Sequence, residues 1–380
     1  MFLDTQNRDQ LDYYKRLLKI LGSLSNLFSK SSSPYLVPRL TETLFCRSFM
    51  AQDLSRSDVS ADAMKENIGI GIKTFLDNNG RTLQKVAEFN KTKALYSSIS
   101  AIDEKIAKIS ELRNERIEVT KRAYGIDTME YHCLTRKIGQ ILIFDLPMNL
   151  VDISNISNIS KRENVITFTD GIEEYSFNES KSTLYKRFNT PGNAIIIPTE
   201  IISDPFEALE RYLGQSFNEL VFDPIKEEQG HIFLPLYSTR DGEVPEKSGL
   251  NQWNAGGRER NPDEAYIPIP AWIHRIFPDF FPARDTHFNL VLPDNSIMEA
   301  KVCQDNSKAL MSRQNRDLGR WLLRDVLQLR EGELVTKEKL DEIGLDSVII
   351  YKEEPGVFSI NFTRTGSYEN FERNSSRSNE

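Results

Sequence analysis

The segment "KSGLNQWNAGGRERNPDEAYIPIP", from Lys247 to Pro270, is a glycine-rich polar loop that leads into a short apolar run. Glycine lets a backbone approach a groove closely. The forked donors of arginine and the amides of asparagine and glutamine match the edges of DNA bases. Side chains of this kind are Gln252, Asn254, Arg258, Arg260 and Asn261, and Trp253 is predicted to flank the same groove. The segment therefore predicts a loop that reads DNA sequence.

A second polar cluster follows in "QDNSKALMSRQNRDLGRWLLRD", from Gln304 to Asp325. Between residues 305 and 330 there are six lysines and arginines against three acids, so this part of the chain is locally basic. The side chains predicted to read bases are Lys308, Ser312, Arg313, Gln314 and Asn315. Arg320 and Arg324 fall on the next predicted helix and are suited to phosphates. Taken alone, each cluster could equally be a polar turn, but together they favour a DNA-binding domain.

Short β-rich runs separated by Gly, Pro, Asn and Asp fill the chain from His231 to Phe362. This pattern predicts a mainly β pseudobarrel with one or two inserted helices. The two polar arms in this order closely resemble the B-three-like DNA-binding domains of some restriction endonucleases, including the NgoFVII type. The resemblance covers about residues 228–363 and implies double-stranded DNA as the partner. Relatives carry a Gly-Arg pair before a "VxxYK" strand, whereas this chain has "IGLDSVIIYK", so a contact there is expected to be absent.

The bulk properties of the chain are those of an ordinary globular protein of 380 residues with a net charge of −8. This length predicts two domains. The cysteines Cys46, Cys133 and Cys303 are far apart, which argues against a zinc site or a disulfide framework and suits a cytoplasmic protein. Neither a membrane span nor a secretory signal is expected, and no nucleotide cofactor is expected.

The N-terminal half contains "SADAMKENIGIGIKTFLDNNGRTLQKVAEFNK", from Ser60 to Lys91. "VSADAMK" and "IGIGIKTF" are predicted to form a β-hairpin, which would bring Asp62 and Lys73 onto one edge of a sheet. "GRTLQKVAEF" is predicted to be a helix that carries Glu88 over that edge. Carboxylates are ligands that Mg²⁺ prefers, and a lysine can hold the water that attacks a phosphodiester.

This stretch resembles the PD-(D/E)XK nuclease superfamily. The acid that usually lies two residues before the lysine is replaced by Gly71, so the chain resembles the variant whose second carboxylate lies on the next helix. The resemblance implies an α/β domain, a mixed sheet flanked by helices, with Asp62, Lys73 and Glu88 catalytic and with Asp62 and Glu88 binding Mg²⁺. Asp58, Glu66 and Glu42 remain alternative acids, and all of these charges could instead be solvated surface groups.

The rest of the N-terminal half is predicted to contain helices over residues 9–30, 37–54 and 95–123, the last mostly solvated, and a buried strand in "IGQILIFDLP". The predicted divisions are a catalytic domain over 1–205, a linker over 206–227, a B-three-like domain over 228–363 and a disordered tail over 364–380.

The combined prediction is a type II restriction endonuclease, a Mg²⁺-dependent hydrolase of double-stranded DNA that acts as a homodimer on symmetric sites. The main alternative is a non-catalytic DNA-binding regulator whose N-terminal half dimerises. A metal-independent phospholipase-D-like nuclease is disfavoured, because such an enzyme needs an HxK pair. That pair is missing at every histidine: His132, His231, His274 and His287.

Overall fold

The computed structural model describes residues 1–55, 59–213 and 230–377. The strands of the N-terminal half are β1 Gln52–Asp53, β2 Ala63–Lys65, β3 Ile68–Leu76, β4 Arg81–Glu88, β5 Thr128–Lys137, β6 Gln140–Pro147, β7 Ser157–Arg162, β8 Val165–Thr169, β9 Glu174–Asn178, β10 Thr183–Asn189 and β11 Ile195–Pro198. Its helices are α1 Phe2–Thr5, α2 Arg8–Ser23, α3 Pro38–Phe49, α4 Ala94–Ser97, α5 Ile102–Tyr124 and α6 Pro205–Leu213.

The central sheet of this half has the strand order β1-β2-β3-β5-β6-β11. β3 and β5 are parallel, while the other neighbours are antiparallel. The parallel pair requires a long crossover, which β4, α4 and α5 supply. Helices α1, α2 and α3 pack against this sheet through a hydrophobic cluster that includes Tyr14, Phe45 and Ile72. The predicted α/β character of the N-terminal half is therefore observed, and this sheet carries Lys73.

The predicted hairpin is confirmed, because β2 pairs antiparallel with β3 and the backbone of Asp62 continues the pairing by donating to Ile70. The predicted helix at "GRTLQKVAEF" is wrong. These residues form β4, which starts a second sheet in the order β4-β10-β9-β8-β7. Thr82, Gln84 and Val86 turn inward while the residues between them are exposed or partly exposed. Glu88 is thus the last residue of a strand.

Helix α5 is far more buried than its alternating charges predicted. It lies between the two halves of the chain, and a hydrophobic cluster joins its Ile117 and Tyr124 to barrel residues such as Phe362. Two of its charged groups pair with residues of the C-terminal half. Lys108 Nζ lies 3.1 Å from Glu342 Oε1, and Arg122 Nε donates to the carbonyl of Val326 at 3.0 Å. The prediction of a mostly solvated helix is wrong because the helix packs against both halves.

The C-terminal half contains the strands β12 His231–Pro235, β13 Ile267–Pro268, β14 His287–Val291, β15 Ile297–Cys303, β16 Ala309–Ser312, β17 Leu345–Glu354 and β18 Val357–Arg364. Its helices are α7 Ala271–Ile276, α8 Asp317–Gly319, a π-helical continuation Arg320–Val326, α9 Lys337–Ile343 and α10 Ser367–Arg377. The sheet order is β12-β17-β18-β14-β15-β16-β13, a nearly closed barrel-like arrangement. The predicted mainly β pseudobarrel is confirmed at this level.

Strand register places both predicted DNA-binding arms at one end of the barrel. β14 runs parallel to β18, so both strands end toward the same rim, with Val291 paired to Ser359 and Arg364 five residues further along β18. β16 runs back along β15 and delivers Arg313 beside Glu299 at that rim. The loop before β13 enters from the same side, because Ile267 pairs with Leu310. The turn between β14 and β15 at this rim contacts the N-terminal half, because Asn295 Nδ2 donates to Gln52 Oε1 at 3.1 Å.

The predicted boundaries of the linker and tail need correction. Residues 206–213 of the predicted linker belong to α6, while residues 214–227 lie outside the described residues. Residues 364–377 of the predicted disordered tail are ordered as the end of β18 and helix α10. Tyr368 on this helix is buried and accepts a hydrogen bond from Trp272 Nε1 at 2.8 Å, and Phe371 stacks on Phe277.

Within the described ranges, no helix combines the length and the apolar character needed to cross a membrane.

Candidate functional site

A cavity of about 440 Å³ opens at the boundary between the two halves. Asp62, Lys73 and Glu88 all line it, although the first and last are 26 positions apart in the chain. The barrel contributes the other wall through residues 343–345, Arg364 and Thr365. The structure therefore brings the three predicted catalytic residues to one cavity, at the barrel rim that carries the arms.

Asp62 is held in place by the strand that carries the lysine. Its Oδ2 accepts a hydrogen bond from the backbone N–H of Ile72 at 2.7 Å. Burial raises the pKa of the Asp62 carboxyl, and the nearby positive charge of Lys73 opposes that rise. Among the described residues, no acid forms an ion pair with Lys73 within 4.0 Å. A carboxylate whose charge is disfavoured by burial is one that a bound cation would stabilise.

Gly71, two residues before Lys73, lies in a close-packed region beside the cavity. A Cβ at this position would lie 2.7 Å from Met148 Cε and 3.2 Å from Tyr131 Cδ1, and both of those residues line the cavity. A side chain at residue 71 would therefore require both neighbours to shift. This packing favours an acid from another strand as the second member of the predicted pair.

Glu88, the predicted second acid, is the last residue of β4. Its Oε2 accepts from Lys85 Nζ at 3.0 Å and its Oε1 accepts from Asn90 Nδ2 at 2.5 Å. The pKa of Glu88 is lowered, mainly by the hydrogen bond from Lys85. Glu88 is thus ionised at neutral pH, but both of its oxygens are engaged by neighbours that a metal would displace or share.

The alternative acids are placed less favourably. Glu66 lies in the exposed hairpin turn with φ 52° and does not line the cavity, while Asp58 lies outside the described residues. Glu42 lies 3.2 Å from Arg39 in an ion pair. Burial and then the charge of Asp62 raise the pKa of Glu42, so Glu42 lies within electrostatic range of Asp62 but outside the cavity lining.

The oxygen chemistry of Asp62 and Glu88 fits Mg²⁺, which prefers hard carboxylate ligands. Within the described ranges, no group of three or more His, Cys, Asp and Glu side chains is arranged to hold a metal. Two carboxylates on one cavity agree with the way Mg²⁺ is usually held, because it retains several waters and binds through one or two carboxylates plus phosphate.

Sequence reasoning missed the positive charge of the cavity. Besides Lys73, its lining contains basic residues from four separate parts of the chain: Lys85, Lys91, Arg113, Arg116 and Arg364. These six cations face the two acids Asp62 and Glu88 in a protein whose net charge is −8. No local motif could have indicated this cluster, because the fold alone brings the residues together. The excess of positive charge suits a polyanion.

Most of the predicted contact residues of the first polar arm are hydrogen bonded within the protein. Arg258 is exposed at the loop tip, with Nη2 2.5 Å from Glu264 Oε1. Arg260 is mostly buried and donates to the carbonyls of Ala255 and Gly256 at 2.6 and 2.9 Å, so it shapes the loop. The other predicted members are Asn254 and Asn261, which are exposed and also hydrogen bond within the loop, and Gln252 and Trp253, which are half-buried.

The second polar cluster is divided by the structure. Arg313, Gln314, Asn315 and Arg320 are exposed at the barrel rim beside the first arm, whereas Lys308 lies at the opposite end of β16.

Two other predicted contacts of this cluster are engaged inside the protein. Ser312 is fully buried and hydrogen bonds to Gln314 and Leu318, so its side chain has no surface for DNA. Arg324 Nε lies 2.7 Å from Asp263 Oδ1, and its other nitrogens donate to backbone carbonyls. Arg324 therefore ties the two arms together, and its predicted phosphate contact is disfavoured.

A barrel-like sheet with two arginine- and amide-rich arms on one rim has the features of a domain that binds DNA. Residues 226–354, about a third of the chain, match the family model of the NgoFVII C-terminal B3-like DNA-binding domain, a domain of a restriction enzyme. This match confirms the predicted resemblance of the C-terminal half and supports sequence-specific DNA binding. It stops before β18, which nevertheless pairs with both β17 and β14. No curated protein is significantly similar to the chain.

Proposed function

We propose that the protein is a type II restriction endonuclease that hydrolyses phosphodiester bonds of double-stranded DNA in the presence of Mg²⁺. One observation supports this proposal above the others: Asp62, Lys73 and Glu88 line one basic cavity on the rim of a DNA-binding barrel. The family match assigns DNA as the partner, and the cavity has the groups that metal-dependent phosphodiester cleavage needs.

Three residues of the cavity have definite roles in this proposal. Asp62 and Glu88 would hold Mg²⁺ through carboxylate oxygens. Bound Mg²⁺ supplies charge neutralisation at the phosphate and lowers the pKa of coordinated water. Lys73 would donate a hydrogen bond from Nζ to the attacking water, orient it toward phosphorus and promote loss of its proton. Attack opposite the leaving oxygen forms a bond between phosphorus and the water oxygen and breaks the bond between phosphorus and the leaving oxygen. Solvent water accepts the proton of the attacking water and protonates the leaving oxygen.

A homodimer is part of the proposal. Cleavage of both strands at a symmetric site requires two active sites related by a two-fold axis, which a dimer of identical chains supplies. Each chain would contribute one cavity and one barrel.

The proposal is tested by incubating the full chain with phage genomic DNA in Mg²⁺ and in EDTA, and mapping any cut sites by sequencing. Defined fragments are expected in Mg²⁺ alone. Glu88→Ala should reduce the cleavage rate by about 10²–10³-fold. Loss of this carboxylate would weaken Mg²⁺ binding, and Mg²⁺ neutralises the negative charge that develops on the leaving oxygen. The matched control is Glu66→Ala, which removes an exposed acid from the neighbouring hairpin and should cut normally. Normal cleavage by Glu88→Ala together with loss in Glu66→Ala would reassign the second acid.

A non-catalytic DNA-binding regulator is the second candidate. The specific observation in its favour is that both oxygens of Glu88 are already engaged by Lys85 and Asn90. Specific DNA binding without any Mg²⁺-dependent cutting in the same assay would establish this function instead.

The reading arms are tested with two arginines of different expected roles. Arg313→Ala should reduce discrimination between the mapped site and a single-base variant by about 1–3 kcal/mol, if its guanidinium contacts a guanine. Arg320→Ala should weaken binding to all duplexes alike and lower the salt slope by about one, because it removes a phosphate contact. Competition titrations at two salt concentrations measure both quantities. If both variants changed discrimination and the salt slope in the same way, Arg313 and Arg320 would not have separate roles in base recognition and phosphate contact.

A further inference from the structure

The candidate cleavage cavity is incomplete without the barrel. Arg116 on α5 belongs to the N-terminal half and donates to the Glu88 carbonyl at 2.7 Å and to Thr92 Oγ1 at 3.3 Å. Its guanidinium also packs against the barrel, because a Cβ on Gly344 would lie 2.9 Å from Arg116 Nε. Arg364, the last residue of β18, lines the same cavity from the barrel side. Two arginines from different halves therefore face one space.

The arginine on the N-terminal side lacks a carboxylate partner. Among the described residues, the groups that accept from Arg116 are a carbonyl and a hydroxyl, and its buried Nε has no hydrogen-bond partner. Arg113, which also lines the cavity, likewise has a buried Nε without a partner. Buried guanidinium donors left unsatisfied are costly, so these groups favour an anion in the cavity.

Strand pairing places Arg364 on the same side of the barrel as the residues that contact Arg116. Arg364 pairs with Leu345 in the barrel sheet, and Leu345 follows Gly344, against which the Arg116 guanidinium packs. Both arginines line the cavity together with Asp62 and Glu88. Two guanidinium groups on one cavity form a site that suits a phosphate, because each can donate to phosphate oxygens.

We infer that the barrel completes the cleavage site, with Arg364 and Arg116 jointly binding a phosphate of the DNA strand that enters the cavity. This inference rests on the proposed nuclease function and adds a substrate-binding residue from the reading domain. Since Arg364 ends a strand that pairs with β17 and β14, its position depends on the docking of the barrel. Cleavage therefore requires the barrel to be docked against the N-terminal half, so that Arg364 reaches the cavity. The affinity of the barrel for DNA is not sufficient.

The test uses the full chain with Arg364→Ala, Arg364→Lys and a matched control, Arg284→Ala. Arg284 is half-exposed on the barrel, lies near Asp285 and Asp305, and does not line the cavity. Single-turnover cleavage of a duplex carrying the mapped site should fall about 10²–10³-fold for Arg364→Ala and less for Arg364→Lys. Arg284→Ala should cut within about twofold of the wild type. Thermal unfolding verifies that all variants are folded.

A second readout separates phosphate binding from a structural role. Neutral methylphosphonates are placed singly at the scissile phosphate and at its neighbours in the same duplex. At the phosphate that Arg364 contacts, the methylphosphonate should slow cleavage by the wild type but have little further effect on Arg364→Ala. The reason is that the variant has already lost the contact between Arg364 and that phosphate. Binding of the unmodified duplex in EDTA should change only a few-fold, since the reading arms remain intact.

The outcomes distinguish this inference from the proposed function. If the wild type cuts, Asp62→Ala does not, and Arg364→Ala cuts normally or faster, the inference is wrong while the nuclease function stands. Equal methylphosphonate losses at every position in the wild type and Arg364→Ala would also overturn it. If the wild type does not cut, the nuclease function and this inference both fail.

Discussion

Replacing Lys73 with alanine is expected to reduce the rate of Mg²⁺-dependent cleavage by about 10²–10⁴-fold. This is the usual contribution of a side chain that positions or transfers the reacting proton. Lys73 lies on β3, next to Ile72, whose backbone N–H holds Asp62. The variant therefore removes the ammonium group while the carboxylate stays in place. Single-turnover cleavage of the mapped duplex measures the effect, and duplex binding in EDTA should remain close to that of the wild type.

The matched control for this prediction is Lys65→Ala in the same hairpin. Lys65 Nζ donates to Gln6 and Gln10 and does not line the cavity, so its loss removes an equal charge from the N-terminal half. This control should cut within about twofold of the wild type. If Lys73→Ala and Lys65→Ala cut equally well, the active site does not involve Lys73.

The prediction of β4 failed for a definable reason. The segment follows the turn signal "DNNG", which suggested the start of a helix, and the spacing of Leu83, Val86 and Ala87 is compatible with one helix face. In the structure Leu83 is exposed and Thr82 is buried, because pairing with β10 decides which side chains turn inward. Tertiary pairing therefore overrode the local apolar pattern. Glu88 still lines the cavity because it ends β4. Its predicted position near Asp62 and Lys73 therefore agrees with the structure, although the helix predicted to bring it there does not exist.

The ordered C-terminal helix shows a similar limit. The residues 367–377 are mostly polar, and their composition favours disorder. Two aromatic residues three positions apart, Tyr368 and Phe371, pack against Trp272 and Phe277 and help to dock this helix on the barrel. That surface exists only after residues 230–364 have folded.

The candidate site was predictable in part. A hairpin brings Asp62 and Lys73 together through local pairing, which sequence patterns indicate well. Arg116 and Arg364 are 248 positions apart in the chain, and only the docking of the barrel against α5 makes them neighbours of the same cavity. Long-range proximity of this kind leaves no periodic signal in one sequence.

The second large effect is expected on stability, at a buried network on the opposite side of β3 and β5 from the cavity. His132 is paired with Ile72 in the sheet, and its Nδ1 lies 2.8 Å from Asp145 Oδ1 while Nε2 lies 2.9 Å from the Tyr14 hydroxyl. Asp145 Oδ2 also accepts from the backbone N–H of Leu3 at 2.6 Å. One carboxylate therefore fixes both the imidazole and the start of the chain beneath the sheet.

Asp145→Ala should lower the free energy of unfolding by about 2–6 kcal/mol, because the buried His132 imidazole and the Leu3 N–H both lose their acceptor. Asp145→Asn should lose less, since its amide oxygen still accepts from one partner. Glu130→Gln is the matched control: Glu130 accepts only from the Phe2 N–H among its described partners, and glutamine preserves that acceptor. Urea unfolding measures all three free energies. A loss below about 1 kcal/mol in Asp145→Ala would show that the network is not a main support of the sheet that carries Lys73.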